Sequence, residues 1–408
     1  MKQIISLCFL LFPSLILPQH IKYPIRYYRA LGIVNFYEKN FLAAANALHQ
    51  ALEIDPKDWE SRDLLRMVYD SLGKRNLIQR HKIRNQSIST SFDRERKESI
   101  DLSYKNDMKL IANEFYNRKR YDSAAIAYRM YLKNVAWDTS AIFYLANSLF
   151  FQKNFSDAAY EYERLLEIDK KRADVYNLAG VCYRNINNLT KAKDYFKLAI
   201  ISDSTMGIAY YNLGSIQYAL EDYVHAAQNL EKASILLPNE QEILSLLGKV
   251  YLETGQKEKA LNTFEGLYAL NNQSERTNVM LAQLYFEAKD YNKAVFHFNK
   301  AFSTVNNNPE LIAMLGMAYF FKKDYAMSYQ LLSKASQTLT ERKDVLTMTA
   351  AAANMLKKYD EAADYASRAL ALDKNYSPAI EELAKSLKGR KKKSAAKKLL
   401  KQSNQLKL

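Results

Sequence analysis

The chain has 408 residues and a formal charge of +15, from 59 Lys and Arg against 44 Asp and Glu. Ten Gly and seven Pro are too few for the many tight turns of an all-β protein, and two Cys cannot form a disulfide framework. Thirty Tyr and eighteen Phe in a 48% hydrophobic chain supply large groups to bury, and the whole reads as predominantly helical.

Residues 1–20, MKQIISLCFLLFPSLILPQH, carry one Lys, an apolar run from Ile4 to Leu17 and a polar exit at Gln19 and His20. A membrane-spanning helix needs roughly 20 apolar residues. This run is shorter and fits the hydrophobic segment of a signal peptide, although no A-x-A site follows it. The expectation is export to the periplasm or cell envelope; retention of the segment would instead leave a cytoplasmic or membrane-anchored protein.

Beyond it, a thirty-four-residue unit recurs. Its eighth place holds Gly32, Ala112, Ala146, Gly180, Gly214, Gly248, Ala282, Gly316 and Ala350. Its twentieth holds Ala44, Ala124, Ala158, Ala192, Ala226, Ala260, Ala294, Ser328 and Ala362. Large rings recur at the eleventh place (Tyr183, Tyr251, Tyr285, Tyr319) and the seventeenth (Tyr121, Phe155, Tyr223, Tyr291, Tyr325, Tyr359). In chain order, residues 21–92 hold one clear unit, Ile25–Asp58, and a degenerate second, Trp59–Phe92. Residues 93–104 are an insertion within the polar stretch Asn85–Tyr104, which reads as a surface excursion or as a longer helix joining two sub-arrays, where a hinge could sit. Residues 105–376 hold eight contiguous units. Residues 377–408 keep Ile380, Leu383, Leu387, Ala396 and Leu400 in register and read as a basic terminal cap.

This pattern resembles the tetratricopeptide repeat. The resemblance implies an all-α fold, a right-handed α-solenoid of about ten to eleven helix–turn–helix repeats, each covering its neighbour's apolar face. It also implies a non-enzymatic scaffold that holds a protein or peptide in a concave groove. At 3.6 residues per turn, places four, seven, eight and eleven form the packed stripe of the first helix, with small residues letting the helices approach. Places two, five, nine, twelve and thirteen lie opposite. The groove candidates there are Phe143, Asn147, Phe150 and Phe151 in one unit, then Tyr211, Ser215 and Tyr218, then Met317, Phe320 and Phe321. Aromatic and thioether content on such a face suits an interaction surface. Met280, Met314 and Met348 share the sixth place, which borders the next repeat and reads as packing.

Two specialised variants of the family fail residue by residue. For a carboxylate clamp, Lys109 and Asn113 match the first repeat, but Tyr144, Asp174 and Leu178 do not continue it. An asparagine ladder would need Asn along the sixth place, where Leu110, Tyr144, Leu178 and Leu246 stand with Asn212 alone.

Catalytic strings are missing. No GxSxG, HExxH, P-loop or GxGxxG occurs, and the five His are scattered without metal-ligand spacing. His225 and His297 fall at exposed-looking places on second helices, and Cys182 reads as a buried thiol. No enzyme, cofactor or metal is expected. From Lys385 to Leu408 there are ten Lys and Arg and no acidic residue. Lys388, Arg390, Lys391, Lys392, Lys393, Lys397 and Lys398 therefore form a candidate basic surface for an anionic membrane. With no base-reading module in the chain, nucleic acid is the lesser electrostatic partner, kept for an adaptor whose basic tail contacts anionic lipid or nucleic acid.

Overall fold

The computed structural model describes residues 25–73 and 108–405. The segment expected to be a signal peptide, the 93–104 insertion and most of the degenerate second unit lie outside the described residues. Among the described residues every regular element is helical.

Helix boundaries follow the sequence register. First helices run Thr139–Phe151, Ala173–Asn185, Gly207–Ala219, Gln241–Glu253, Glu275–Glu287, Pro309–Phe321, Lys343–Met355 and Ser377–Gly389. Each is followed by a second helix beginning at the seventeenth place, as in Phe155–Ile168, Leu189–Ser202, Tyr223–Leu236 and Lys257–Leu270. The chain divides into two units. The one ending at Ser204 contains the hairpin Ile25–Tyr37 with Phe41–Ile54, the helix Trp59–Ser71, and three further hairpins from residue 108. The one beginning at Thr205 contains six hairpins. Within each unit successive hairpins stack in chain order, the arrangement of an α-solenoid.

The turn inside each hairpin has one construction. Its fifteenth-place residue adopts a left-handed backbone: Lys39, Lys119, Lys153, Asn187, Glu221, Lys289, Lys323, Lys357 and Lys391 have φ between 60° and 69°, and Gly73 and Gly255 have φ 68° and 72°. At Lys153 the amide bonds Phe150 O at 2.9 Å and the next amide, Asn154 N, bonds Leu149 O at 2.9 Å. This is a Schellman closure, which satisfies carbonyls that the helix end would otherwise orphan. The left-handed conformation costs a non-glycine residue about 1–2 kcal/mol, which the closing bonds offset. The sixteenth residue then caps the second helix: Asn40, Asn154, Asn188, Asp222, Asp290 and Asp324 each accept the amide three residues on.

Helix pairs lock through three places. Every twentieth-place residue in the nine regular hairpins, Ala44 to Ala362, is fully buried. The twenty-fourth place (Leu48, Tyr128, Tyr162, Phe196, Leu230, Phe264, Phe298, Leu332) is buried to 2% exposure or less and sits beneath the small eighth residue. At Gly180 an added Cβ would come 2.6 Å from Phe196 Cε1, and at Gly214 2.8 Å from Leu230 Cγ. Glycine is needed there for close approach, and the twenty-fourth side chain fills what it vacates.

A polar ladder joins consecutive repeats. The eleventh-place tyrosines donate their hydroxyls to the twenty-fifth residue of the preceding repeat: Tyr183 to Glu163, Tyr251 to Glu231 and Tyr285 to Glu265. Lysines at the nineteenth place lie over the same rings, Lys191 over Tyr183 at 4.6 Å, Lys259 over Tyr251 at 5.1 Å and Lys293 over Tyr285 at 4.6 Å. His49 with Tyr69, and Asn299 with Tyr319, repeat the geometry with other chemistry. The eleventh-place tyrosines thus tie neighbouring repeats together as well as filling space.

One second helix departs from the pattern. Tyr291–Lys300 breaks at Ala301 and resumes as Phe302–Asn306. Glu275 accepts from the Ser303 hydroxyl and from the amide and hydroxyl of Thr304, drawing the displaced turn toward the start of its own repeat.

Candidate functional site, a cleft on the first helices

In the unit beginning at Thr205, the first helices Gly207–Ala219, Gln241–Glu253 and Glu275–Glu287 border an open cleft of about 350 Å³, which Phe264 and Leu267 of the second helix Lys257–Leu270 also line. Its lining mixes a ring and apolar chains (Tyr211, Leu246, Met280) with hydroxyls (Ser215, Ser245) and three charges (Glu242, Lys249, Arg276). Tyr211, Leu246, Lys249 and Met280 are half-buried, whereas Arg276 is exposed. Burial, reinforced by the Arg276 guanidinium, pushes the Lys249 pKa below its ordinary 10.5. Among the described residues neither cation makes an ion pair. A polypeptide laid here would meet apolar surface, hydrogen-bonding hydroxyls and positive charge together.

The other groove candidates divide by how far neighbouring helices cover them. Phe143 and Asn147 are buried, not open to a groove. The Phe143 ring packs on Tyr144 at 5.7 Å under the Arg172 guanidinium at 5.0 Å, and Asn147 Oδ1 accepts the Tyr162 hydroxyl. Phe150 is half-buried against Phe155 at 5.4 Å. Phe151 stacks on Tyr121 of the preceding repeat at 4.5 Å, and Phe321 stacks the same way on Tyr291 at 4.7 Å. Tyr218, Met317 and Phe320 are half-buried against the core of their unit. Only Tyr211 and Ser215 of these candidates line the cleft. Nothing in the sequence singles out Lys249 and Arg276, because they lie in different repeats and form no local motif.

Two side chains suggestive of a carboxylate clamp are occupied internally. Lys109 Nζ pairs with Asp138 at 2.6 Å, and Asn113 Oδ1 accepts the Tyr128 hydroxyl at 2.6 Å. His297, read from sequence as exposed, is buried instead. Its ring stacks on Tyr285 at 5.5 Å and its Nδ1 meets Asn278 Oδ1 at 2.9 Å, with burial lowering its pKa. His225 is exposed beside Asp222. Cys182 is buried and its thiol pKa is pushed well up by that burial, which suppresses the thiolate. Met280, Met314 and Met348 pack half-buried against the core.

The basic C-terminal residues Lys388, Arg390, Lys391, Lys392, Lys393, Lys397 and Lys398 are exposed on Ser377–Gly389, Lys393–Gln405 and the turn between them. Arg390 pairs with Asp360 at 2.9 Å. Among the described residues no helix is long and apolar enough to cross a membrane.

Comparison with known proteins bears on the repeat itself. Two family models described as tetratricopeptide repeat match residues 143–207 and 241–274. The chain is built of tetratricopeptide repeats. A third model, described as anaphase-promoting complex, cyclosome, subunit 3, matches 287–369 of these repeats. The chain is 22% identical over 231 residues to anaphase-promoting complex subunit 3 of Schizosaccharomyces pombe, covering 55% of this chain and 32% of that protein. It is 31% identical over 163 residues to the CTR9 homolog of Arabidopsis thaliana, covering 38% of this chain and 14% of that one. The tetratricopeptide array thus spans less than a third of the length of both curated relatives. Among solved structures, YrrB, described as a TPR protein with an unusual peptide-binding site, is similar at a TM-score of 0.42 and 20% identity, over 45% of this chain and 95% of that one.

Proposed function

We propose that the protein is a non-enzymatic interaction scaffold that holds a partner polypeptide against the first helices of its repeats, at the cleft beside Tyr211, Lys249 and Met280. The observation that carries this reading is the cleft itself. Three successive first helices present to one open concavity half-buried apolar side chains, hydroxyls and two cations that have no ion-pair partner among the described residues. Such a mixture of apolar contact area and placed polar groups is what a polypeptide ligand requires. Export to the periplasm or cell envelope, resting on the apolar run Ile4–Leu17, is proposed with it.

The test is a photo-crosslinking residue placed in the full chain, either at Ser245 in the cleft or at Ile235, which is exposed on the second helix Tyr223–Leu236. In native extract, the Ser245 position should capture a discrete polypeptide that the Ile235 position does not. Equal capture at both, or none at Ser245, would contradict the assignment.

A further inference from the structure

We infer that the cleft is specific for an acidic peptide segment of the partner, one side-chain carboxylate of which sits between Lys249 and Arg276; this rests on the reading of the cleft as the partner site. Elsewhere, cations placed between repeats find a carboxylate in an adjacent repeat, as Lys257 does with Glu287 at 2.6 Å, Arg129 with Asp157 at 3.0 Å and Lys259 with Glu231 at 3.3 Å. Lys249 and Arg276 also come from adjacent repeats and line one cleft, yet neither has such a partner among the described residues. Glu242 shares the lining but stands beyond ion-pair distance of both.

Two like charges brought together in a partly dehydrated cleft are unfavourable, and an anion between them relieves both the repulsion and the desolvation. A carboxylate can accept hydrogen bonds from an ammonium and a guanidinium at once, with the guanidinium offering a planar pair of donors. Tyr211, Leu246 and Met280 beside the cations would cover the apolar neighbours of that acid in the bound segment. The same lining argues against a run of acids, because Glu242 would repel a second carboxylate. One acidic residue among uncharged ones is the ligand whose charge complements this cleft.

The experiment uses the full chain and a fluorescein-labelled, end-capped peptide with a single glutamate in an apolar sequence, together with its glutamine counterpart. Anisotropy should show the glutamate peptide binding about tenfold more tightly or better. Rising salt should narrow that gap. In Lys249→Gln with Arg276→Gln the preference should vanish while the melting temperature stays no lower than the parent's, since neither side chain holds an internal ion pair. Equal affinity for the two peptides, a preference that survives in the double variant, or no binding of the glutamate peptide by the parent would overturn the inference. Capture of a partner at Ser245 alongside any of those results would leave the scaffold reading standing and remove only the acidic specificity.

Discussion

Phe196→Ala lowers the stability of the unit ending at Ser204 by about 3–5 kcal/mol, the range for deleting a buried aromatic. The ring is fully buried and occupies the space that Gly180 leaves open, where an added Cβ would lie 2.6 Å from it. No neighbouring backbone can collapse into that space, since the two helices are already held by Ala192 and by the turn at Asn187. The converse change, Gly180→Ala, overpacks the same seam by about 1–3 kcal/mol. That cost should persist in a Phe196→Leu background, because leucine crowds the facing glycine as closely, with an added Cβ 2.6 Å from Leu48 Cγ at Gly32 and 2.8 Å from Leu230 Cγ at Gly214. Thermal denaturation followed by circular dichroism reads the effect. An unchanged midpoint for Phe196→Ala would place the seam elsewhere.

The second large effect concerns Asp138, which ties one repeat to the next. Its carboxylate accepts from Lys109 at 2.6 Å, the Tyr131 hydroxyl at 2.7 Å, the Ser140 hydroxyl at 2.7 Å and the Ala141 amide at 3.1 Å. Burial alone would push its pKa up, but the bonds from Lys109, Tyr131, Ser140 and Ala141 outweigh it and hold the carboxyl far below its ordinary 3.8. A carboxyl depressed in the folded state contributes stability that is fully present above its unfolded value. That contribution is lost as pH falls below 3.8 toward the folded-state value. Asp138→Ala removes a helix cap together with charge-assisted bonds, about 2–3 kcal/mol at neutral pH. The difference in melting temperature between parent and variant should therefore narrow on acidification from pH 5 downward. A gap independent of pH would show that the carboxylate's charge is not what stabilises this junction.

Much of the fold is legible in the sequence because the smallest residues are the least replaceable. Gly or Ala at the eighth place and Ala (once Ser) at the twentieth are dictated by interhelical distance, so they recur in all nine regular units and set a register that the helix boundaries follow. The twenty-fourth place escapes the eye because Leu, Phe, Tyr and, at Ala366, Ala all occupy it, and what is constant there is burial. The left-handed turn is hidden for a related reason. Only Gly73 and Gly255 advertise it, whereas lysines occupy most of the other turns and are held there by the Schellman bonds.

The helical wheel identifies the face opposite the seam, and Tyr211 and Ser215 on it do line the cleft. A wheel cannot say how far side chains of the partner helix, the repeat's closing turn or the preceding repeat reach over that face. Phe143 and Asn147 are covered by the rings of Tyr144 and Tyr162 and by Arg172, and Phe151 is covered by Tyr121. His297 is misread for the same reason, as Tyr268 and Tyr285 close over its ring. The charges of the cleft depend on stacking as well, for Lys249 and Arg276 meet only once two repeats are in place.

The central claim, that the first helices carry the partner, is tested most directly by hydrogen–deuterium exchange on the full chain with and without the polypeptide captured at Ser245. The account predicts slowed exchange in Gly207–Ala219, Gln241–Glu253 and Glu275–Glu287, strongest around Lys249 and Arg276. Slowing confined to the second helices Tyr223–Leu236 and Lys257–Leu270, with the first helices unchanged, would contradict it.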